Sequence, residues 1–134
     1  MPGTQAARRY AKALLSLAQE QGEGEMIGVQ LGQVADFFAD PELAKILSLP
    51  ALPGKARQDI VAQSVAQGSP HEIVEKFLRV LADNDRLGDL SDINASYQRL
   101  LDRALGRVRA RIRSATDLAQ EEQQSITDAF SQLT

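Results

Sequence analysis

In the stretch GRVRARIRSA, Arg107, Arg109, Arg111 and Arg113 occupy alternate positions and place four positive charges within seven residues. Two chemistries suit that spacing. Alternation with Val108, Ala110 and Ile112 is the period-two signature of a strand with one buried and one solvated face. Alternatively, the four guanidinium groups could clamp phosphates, as in a helical nucleic-acid-binding module, and such binding would be strongly salt-dependent. Only Tyr97 could offer a stacking ring nearby, and the chain lacks a basic domain or stripe. Residues 1–105 hold 11 basic and 14 acidic side chains, and residues 106–134 hold four of each. Other reactive groups are sparse. The absence of cysteine excludes disulfides and thiolate chemistry. His71, the one histidine, cannot alone build a zinc site or a relay. Gly54-Lys55 lacks the upstream glycine and following Ser or Thr of a phosphate loop. The carboxylate pairs Asp83/Asp85 and Glu121/Glu122 read as solvated or capping groups. No catalytic constellation emerges, no cofactor or metal is expected, and an enzyme is not indicated.

The elements that carry these residues are mostly helical. Gly, Pro and Asp punctuate residues 4 to about 105 into six short helices. The first is TQAARRYAKALLSLAQEQ, ended by Gly22 and Gly24, and the second runs from Glu25 to Ala39. Asp40-Pro41 starts a third, with Asp as cap and Pro in the first turn. After the break LPALPG, a fourth spans about Gly54 to Ala66. Ser69-Pro70-His71-Glu72 predicts a capping box before a fifth helix that ends near Asp83. NDRLGD is a turn, and a sixth helix runs from about Leu90 to Leu105. Short connections favour an antiparallel bundle. Beyond Gly106 the pattern predicts one strand and then a helix from about Ala119 to Leu133. A lone strand has no partner for its backbone, so this part is expected to be the start of a cut-off domain, poorly ordered. The expectation is an all-α protein: a six-helix domain over 1–105 and a partial C-terminal segment over 106–134.

Two helices carry more apolar surface than a surface helix needs. On a helical wheel, Ala6, Ala7, Tyr10, Ala11, Ala13, Leu14, Leu15, Leu17 and Ala18 span roughly 200°, where a little over 100° suffices. Arg8, Arg9 and Lys12 lie opposite. In the fifth helix, Ile73, Val74, Phe77, Leu78, Val80, Leu81 and Ala82 do the same. Either both helices bury two flanks inside the bundle, or half of each arc forms an apolar groove for a partner helix. The pattern alone leaves both open.

Three segments, ARRYAKALLSLA, FLRVLADNDRLGDLSDI and GRVRARIRSATDLAQEEQ, resemble in order and spacing the delta subunit of bacterial and chloroplast ATP synthase. The mitochondrial counterpart is the oligomycin-sensitivity-conferring protein. The similarity covers essentially the whole chain, which departs from the family by stopping before the end of the C-terminal domain. The resemblance implies a non-catalytic peripheral-stalk subunit with a six-helix N-terminal bundle. Its first and fifth helices would receive the N-terminal helix of an alpha subunit, and its C-terminal part would meet the b subunits. That would place Ala6, Arg9, Tyr10, Ala13, Leu17, Ile73, Phe77 and Val80 against the partner and leave Ala7, Ala11, Leu14, Val74 and Leu78 in the core. Stalk binding would be weakened or lost in a chain stopping at Thr134. The resemblance further implies a peripheral location on the cytoplasmic face of the bacterial inner membrane, or its organelle equivalent. No secretory signal or membrane-spanning run is apparent in the sequence.

Overall fold

A computed structural model describes residues 2–132, with side chains from Gln5 onward, and divides between Leu101 and Asp102 into two compact units. Among the described residues every regular element is helical: α1 (Pro2–Glu20), α2 (Gly24–Phe38), α3 (Pro41–Leu47), α4 (Gly54–Gly68), α5 (Glu72–Asp83) and α6 (Leu90–Gln132), with a 3-10 turn at Leu87–Asp89. Local chemistry accounts for most boundaries. Gly22 takes a positive φ of 69° after α1, a conformation that costs glycine little. Asp40 caps α3 by accepting from the Glu42 N–H at 3.3 Å, with Pro41 opening the helix.

The start of α5 differs from the predicted capping box. Ser69 is the left-handed terminator of α4, with φ 42°. The cap is His71, whose Nδ1 accepts from the Ile73 N–H at 3.1 Å. That bond uses the Nδ1 lone pair, so the neutral ring carries its proton on Nε2. Nε2 lies 2.7 Å from Glu23 Oε2, and Gln30 Oε1 accepts from the His71 N–H at 2.6 Å. The histidine thus links the α1–α2 connection and α2 to the start of α5, and its role here is structural.

Helix α5 is central to the first unit, packing against α1, α2 and α4. Its C-terminus is tied to α4 by Arg57, whose Nε donates to the Ala82 carbonyl at 2.9 Å and whose Nη1 donates to Leu52 O at 2.8 Å. Gln58 adds a bond to Asp83 Oδ1 at 2.7 Å. The core is aliphatic, built from residues such as Leu14, Ile27, Leu31, Leu78, Leu81 and Ile93, closed by the fully buried Tyr97. Gly28 permits α6 to approach α2 closely: a Cβ there would meet Tyr97 Cε1 at 3.1 Å and Leu101 Cδ2 at 3.2 Å. At the same place Tyr97 donates its hydroxyl to Gly24 O at 2.7 Å and Gln98 Nε2 donates to Gly28 O at 2.9 Å.

Burial pushes the Tyr97 hydroxyl up to about 12 from its ordinary 10, because the phenolate would lose its hydration. The neutral phenol therefore contributes stability that is complete below pH 10 and lost as the pH climbs towards 12. Tyr97→Phe should cost about 0.5–1.5 kcal/mol at neutral pH, through the lost bond to Gly24. It should also remove one component of alkaline unfolding, worth about 2–3 kcal/mol when fully developed. Urea titrations of both proteins between pH 8 and pH 12 should show their stabilities converging and then crossing, whereas parallel curves would deny Tyr97 that role.

The arginine stretch departs most from expectation. No strand forms at 107–113; the segment is helical, and α6 runs from Leu90 without a break at Gly106 through Gln132. The expected sixth helix and the expected C-terminal helix are thus one element, although Leu133, the anticipated end, lies outside the described residues. Two physical reasons account for this. A strand without a partner would leave its N–H and C=O groups unpaired by the chain, whereas a helix satisfies them locally. Arginine and alanine, which make up five of the seven residues at 107–113 beside the β-branched pair Val108 and Ile112, rank among the better helix formers. Gly106 sits in the helix interior, and an added Cβ there would meet nothing within 4 Å. Gly106→Ala should therefore stabilise this part of α6 by about 0.5–1 kcal/mol, measurable as slower amide exchange around residue 106.

Candidate functional site

The fold divides both apolar arcs lengthwise. On α1, Ala7, Ala11 and Leu14 are buried, together with Leu15 and Ala18; on α5, Val74, Leu78, Leu81 and Ala82 are. The outer half of α1 presents Ala6, Tyr10, Ala13 and Leu17 at intervals of four, three and four. That spacing makes a single stripe along the helix. Ile73, Phe77 and Val80 form the corresponding stripe on α5. Ala13 is exposed, and Leu17 and Val80 are 53% and 47% exposed; Ala6, Tyr10, Ile73 and Phe77 are half-buried. Nothing within the described residues covers these side chains fully, so the fold buries the inner halves and covers the outer ones only in part.

The two stripes meet through Tyr10 and Phe77, whose rings pack edge to face with centroids 6.3 Å apart and planes at 72°. Asn84 donates from Nδ2 to the Tyr10 hydroxyl at 3.0 Å and fixes the ring's outer end. Beside this pair lies an open depression of about 400 Å³, lined by Ala6, Arg9, Tyr10, Ala13 and Arg86. Leu17, Ile73, Phe77 and Val80 share those outer halves but do not line it. Arg86, 3.3 Å from Asp89 Oδ2, joins Arg9 in giving the depression a cationic rim. On the solvated side of α5, Lys76 lies 2.8 Å from Glu72. Their hydrogen bond lowers the carboxyl and raises the ammonium from their ordinary values.

Sequence reasoning missed Asn84 and Arg86. Asn84 follows Val80 by four residues and so extends the outer stripe of α5 beyond its last turn, a continuation visible in the spacing. Arg86 belongs to a turn whose path follows from the left-handed Asp85, φ 55°, and gives no helical phase to read. The other charged groups weighed for chemistry are dispersed. Asp83 is bonded to Gln58, Asp85 lies 4.0 Å from Arg57, and Glu121 and Glu122 are exposed on α6. On a helix the four arginines fall into two pairs, 107/111 and 109/113, on sides roughly 200° apart, rather than along one face. No group of three or more His, Asp or Glu able to hold a metal occurs among the described residues. No helix there is long and apolar enough to cross a membrane.

An all-α bundle with an uncovered apolar stripe on two adjoining helices defines the general class. The chain matches the family described as ATP synthase delta (OSCP) subunit over residues 6–134, and it belongs to that family. It is 34% identical over 131 residues to ATP synthase subunit delta of Oleidesulfovibrio alaskensis, covering 96% of this chain and 72% of that protein. The subunit delta of Anaeromyxobacter sp. strain Fw109-5 is 38% identical over 129 residues, again covering 96% and 72%. In fold, the chain is similar to part of a cryo-EM structure of the Toxoplasma gondii mitochondrial ATP synthase hexamer. The TM-score is 0.60 and the identity 24%, over 68% of this chain and 51% of that one. Members of the family are structural, non-catalytic subunits of ATP synthase with a peripheral-stalk role, which agrees with the lack of a catalytic constellation in the sequence.

Proposed function

We propose that this chain is a stator joint that receives the N-terminal helix of an alpha subunit across the outer faces of α1 and α5 and ties the catalytic head to the b subunits of the stalk. The observation that carries this reading is the lengthwise division of the two apolar arcs, which leaves a stripe of apolar side chains only partly covered by the fold. A joint resisting torque needs affinity without chemistry. Burial of one helix face supplies that at about 25 cal/mol per Å² of apolar surface, less the cost of ordering the incoming helix. Ala6 and Ala13 allow the visitor's backbone to come close, the Tyr10–Phe77 pair offers a rigid apolar floor, and Arg9 and Arg86 suit a carboxylate at its rim. The b subunits would be met by the C-terminal part, residues 106–134 beyond a bundle domain of 1–105. The working position would be peripheral, on the cytoplasmic face of a bacterial inner membrane or its organelle counterpart.

Isothermal titration of the chain with a synthetic peptide of an alpha subunit's N-terminal segment tests the groove. Saturable one-to-one binding with a negative heat-capacity change is the expected result. Absence of heat and of any chemical-shift change on α1 and α5 would overturn it.

A further inference from the structure

The side chains lining the depression beside Tyr10 offer donors and no carboxylate. Arg9 and Arg86 carry only N–H groups. The Tyr10 hydroxyl accepts from Asn84 Nδ2 at 3.0 Å, which leaves its own proton to donate. Asp89 Oδ2 holds Nη1 of Arg86 at 3.3 Å. The Nε and Nη2 groups of Arg86 have no bond among the described residues, and Arg9 has no ion pair there. Ala6 and Ala13 complete the lining. Two guanidinium groups and a hydroxyl proton around one space call for an anion with more than one acceptor atom, and a carboxylate supplies it.

Charge is also ordered along the groove. Helices α1 and α5 run antiparallel: Tyr10 in the first half of α1 meets Asn84 at the end of α5, and Glu23 just beyond α1 meets His71 at the start of α5. The cationic end therefore lies beside the first half of α1, which also carries Arg8 and Lys12. At the other end of α1, Glu20 is exposed and forms no ion pair among the described residues. Glu20 and Arg9 are separated along the helix by about 16 Å and point within about 20° of the same direction. On α5 the charges cancel in two pairs, Glu72 with Lys76 and Glu75 with Arg79.

We infer, on the strength of the docking proposed above, that the groove fixes the direction of its visitor. The alpha-subunit helix enters with a carboxylate of its first turn among Arg9, Arg86 and the Tyr10 hydroxyl. A cationic side chain about three turns further on lies beside Glu20. The visitor thus runs parallel to α1 and antiparallel to α5. A short segment is marginally helical alone, and an acid in its first turn and a base in its last stabilise it through the helix dipole. With that charge order, one direction sets each end against its opposite. Reverse docking would place the carboxylate beside Glu20 and the cation between two arginines.

The test uses the full chain, labelled with nitrogen-15, and a synthetic peptide of an alpha subunit's N-terminal segment carrying a nitroxide at its first or its last residue. A nitroxide at the start of the peptide should broaden the amides of residues 6–10 and 84–86. One at the end should broaden those of residues 17–20 and 72–74. Changing the peptide's first-turn acid to lysine should weaken binding more than about tenfold. The double variant Arg9→Glu, Arg86→Glu should recover that loss, a rescue that a purely structural role of the arginines would not give. Binding to the groove with the broadening reversed, or without rescue, would overturn the direction and leave the docking itself standing. No broadening on α1 or α5 from either label would remove the docking and the direction together.

Discussion

Replacing Ala13 with arginine is expected to weaken binding of the alpha-subunit peptide by at least about a hundredfold, or about 2.7 kcal/mol, while leaving the urea midpoint of the bundle within error. Ala13 is exposed on the outer stripe of α1 and lines the depression beside Tyr10. A visiting helix would place its backbone nearest the stripe's smallest side chains. There an arginine stem would occupy the groove, and its guanidinium would lose water without gaining a partner. In the free protein the same side chain extends into solvent from a helix interior, where arginine is a good former, so stability has little reason to change. Unchanged affinity would remove Ala13 from the interface. Unfolding would mean that the outer stripe is structural after all. Ala13 gives a cleaner test than Tyr10→Asp, because Tyr10 holds Phe77 edge to face and accepts from Asn84. Loss of that ring would disturb α1 and α5 as well as the visitor.

The same distinction shows what could be read before the fold was known. The excess width of the two arcs was legible because a helix converts spacing into direction with little ambiguity. The inner half, Ala7, Ala11 and Leu14 with Val74 and Leu78, is the half that the structure buries. Helix starts set by a side chain two residues from the backbone group it caps, as at Asp40, were legible for the same reason. What failed needed information beyond the segment. His71 displaced Ser69 as the α5 cap because two residues distant in sequence hold it in place, Glu23 at the imidazole and Gln30 at the backbone N–H. The alternation at 107–113 suggested a strand, but Leu105, Val108, Ile112 and Ala115 also fit a three-four repeat, so both periods were present in one stretch. Partnering of the backbone decided between them, and partnering is not written in a pattern of side chains. Asn84 and Arg86 were missed because they lie just past the helix whose phase would have placed them.

Leu78 and Val80 on α5 provide the sharpest separation of the two halves. Leu78 is 0% exposed, and truncating it should cost about 2–5 kcal/mol, combining lost transfer energy with the cavity left among neighbours that relax only partly. For a domain of this size that lowers the thermal midpoint by more than about 10 °C. Val80→Ala should change stability by no more than about 0.5 kcal/mol, since the branched side chain faces solvent and alanine is the better helix former. Peptide binding should reverse the order. Below its own unfolding temperature Leu78→Ala should keep most of its affinity, because the outer stripe is intact in every folded molecule. Val80→Ala should lose several-fold in affinity through removal of two buried methyl groups from the proposed interface, at about 0.8 kcal/mol each when fully covered. Calorimetric unfolding and titration on the same two proteins would supply all four numbers. Matching losses in stability and binding for both variants would mean that α5 has a single undivided face. Opposite orderings require two faces, one holding the bundle together and the other left for a partner.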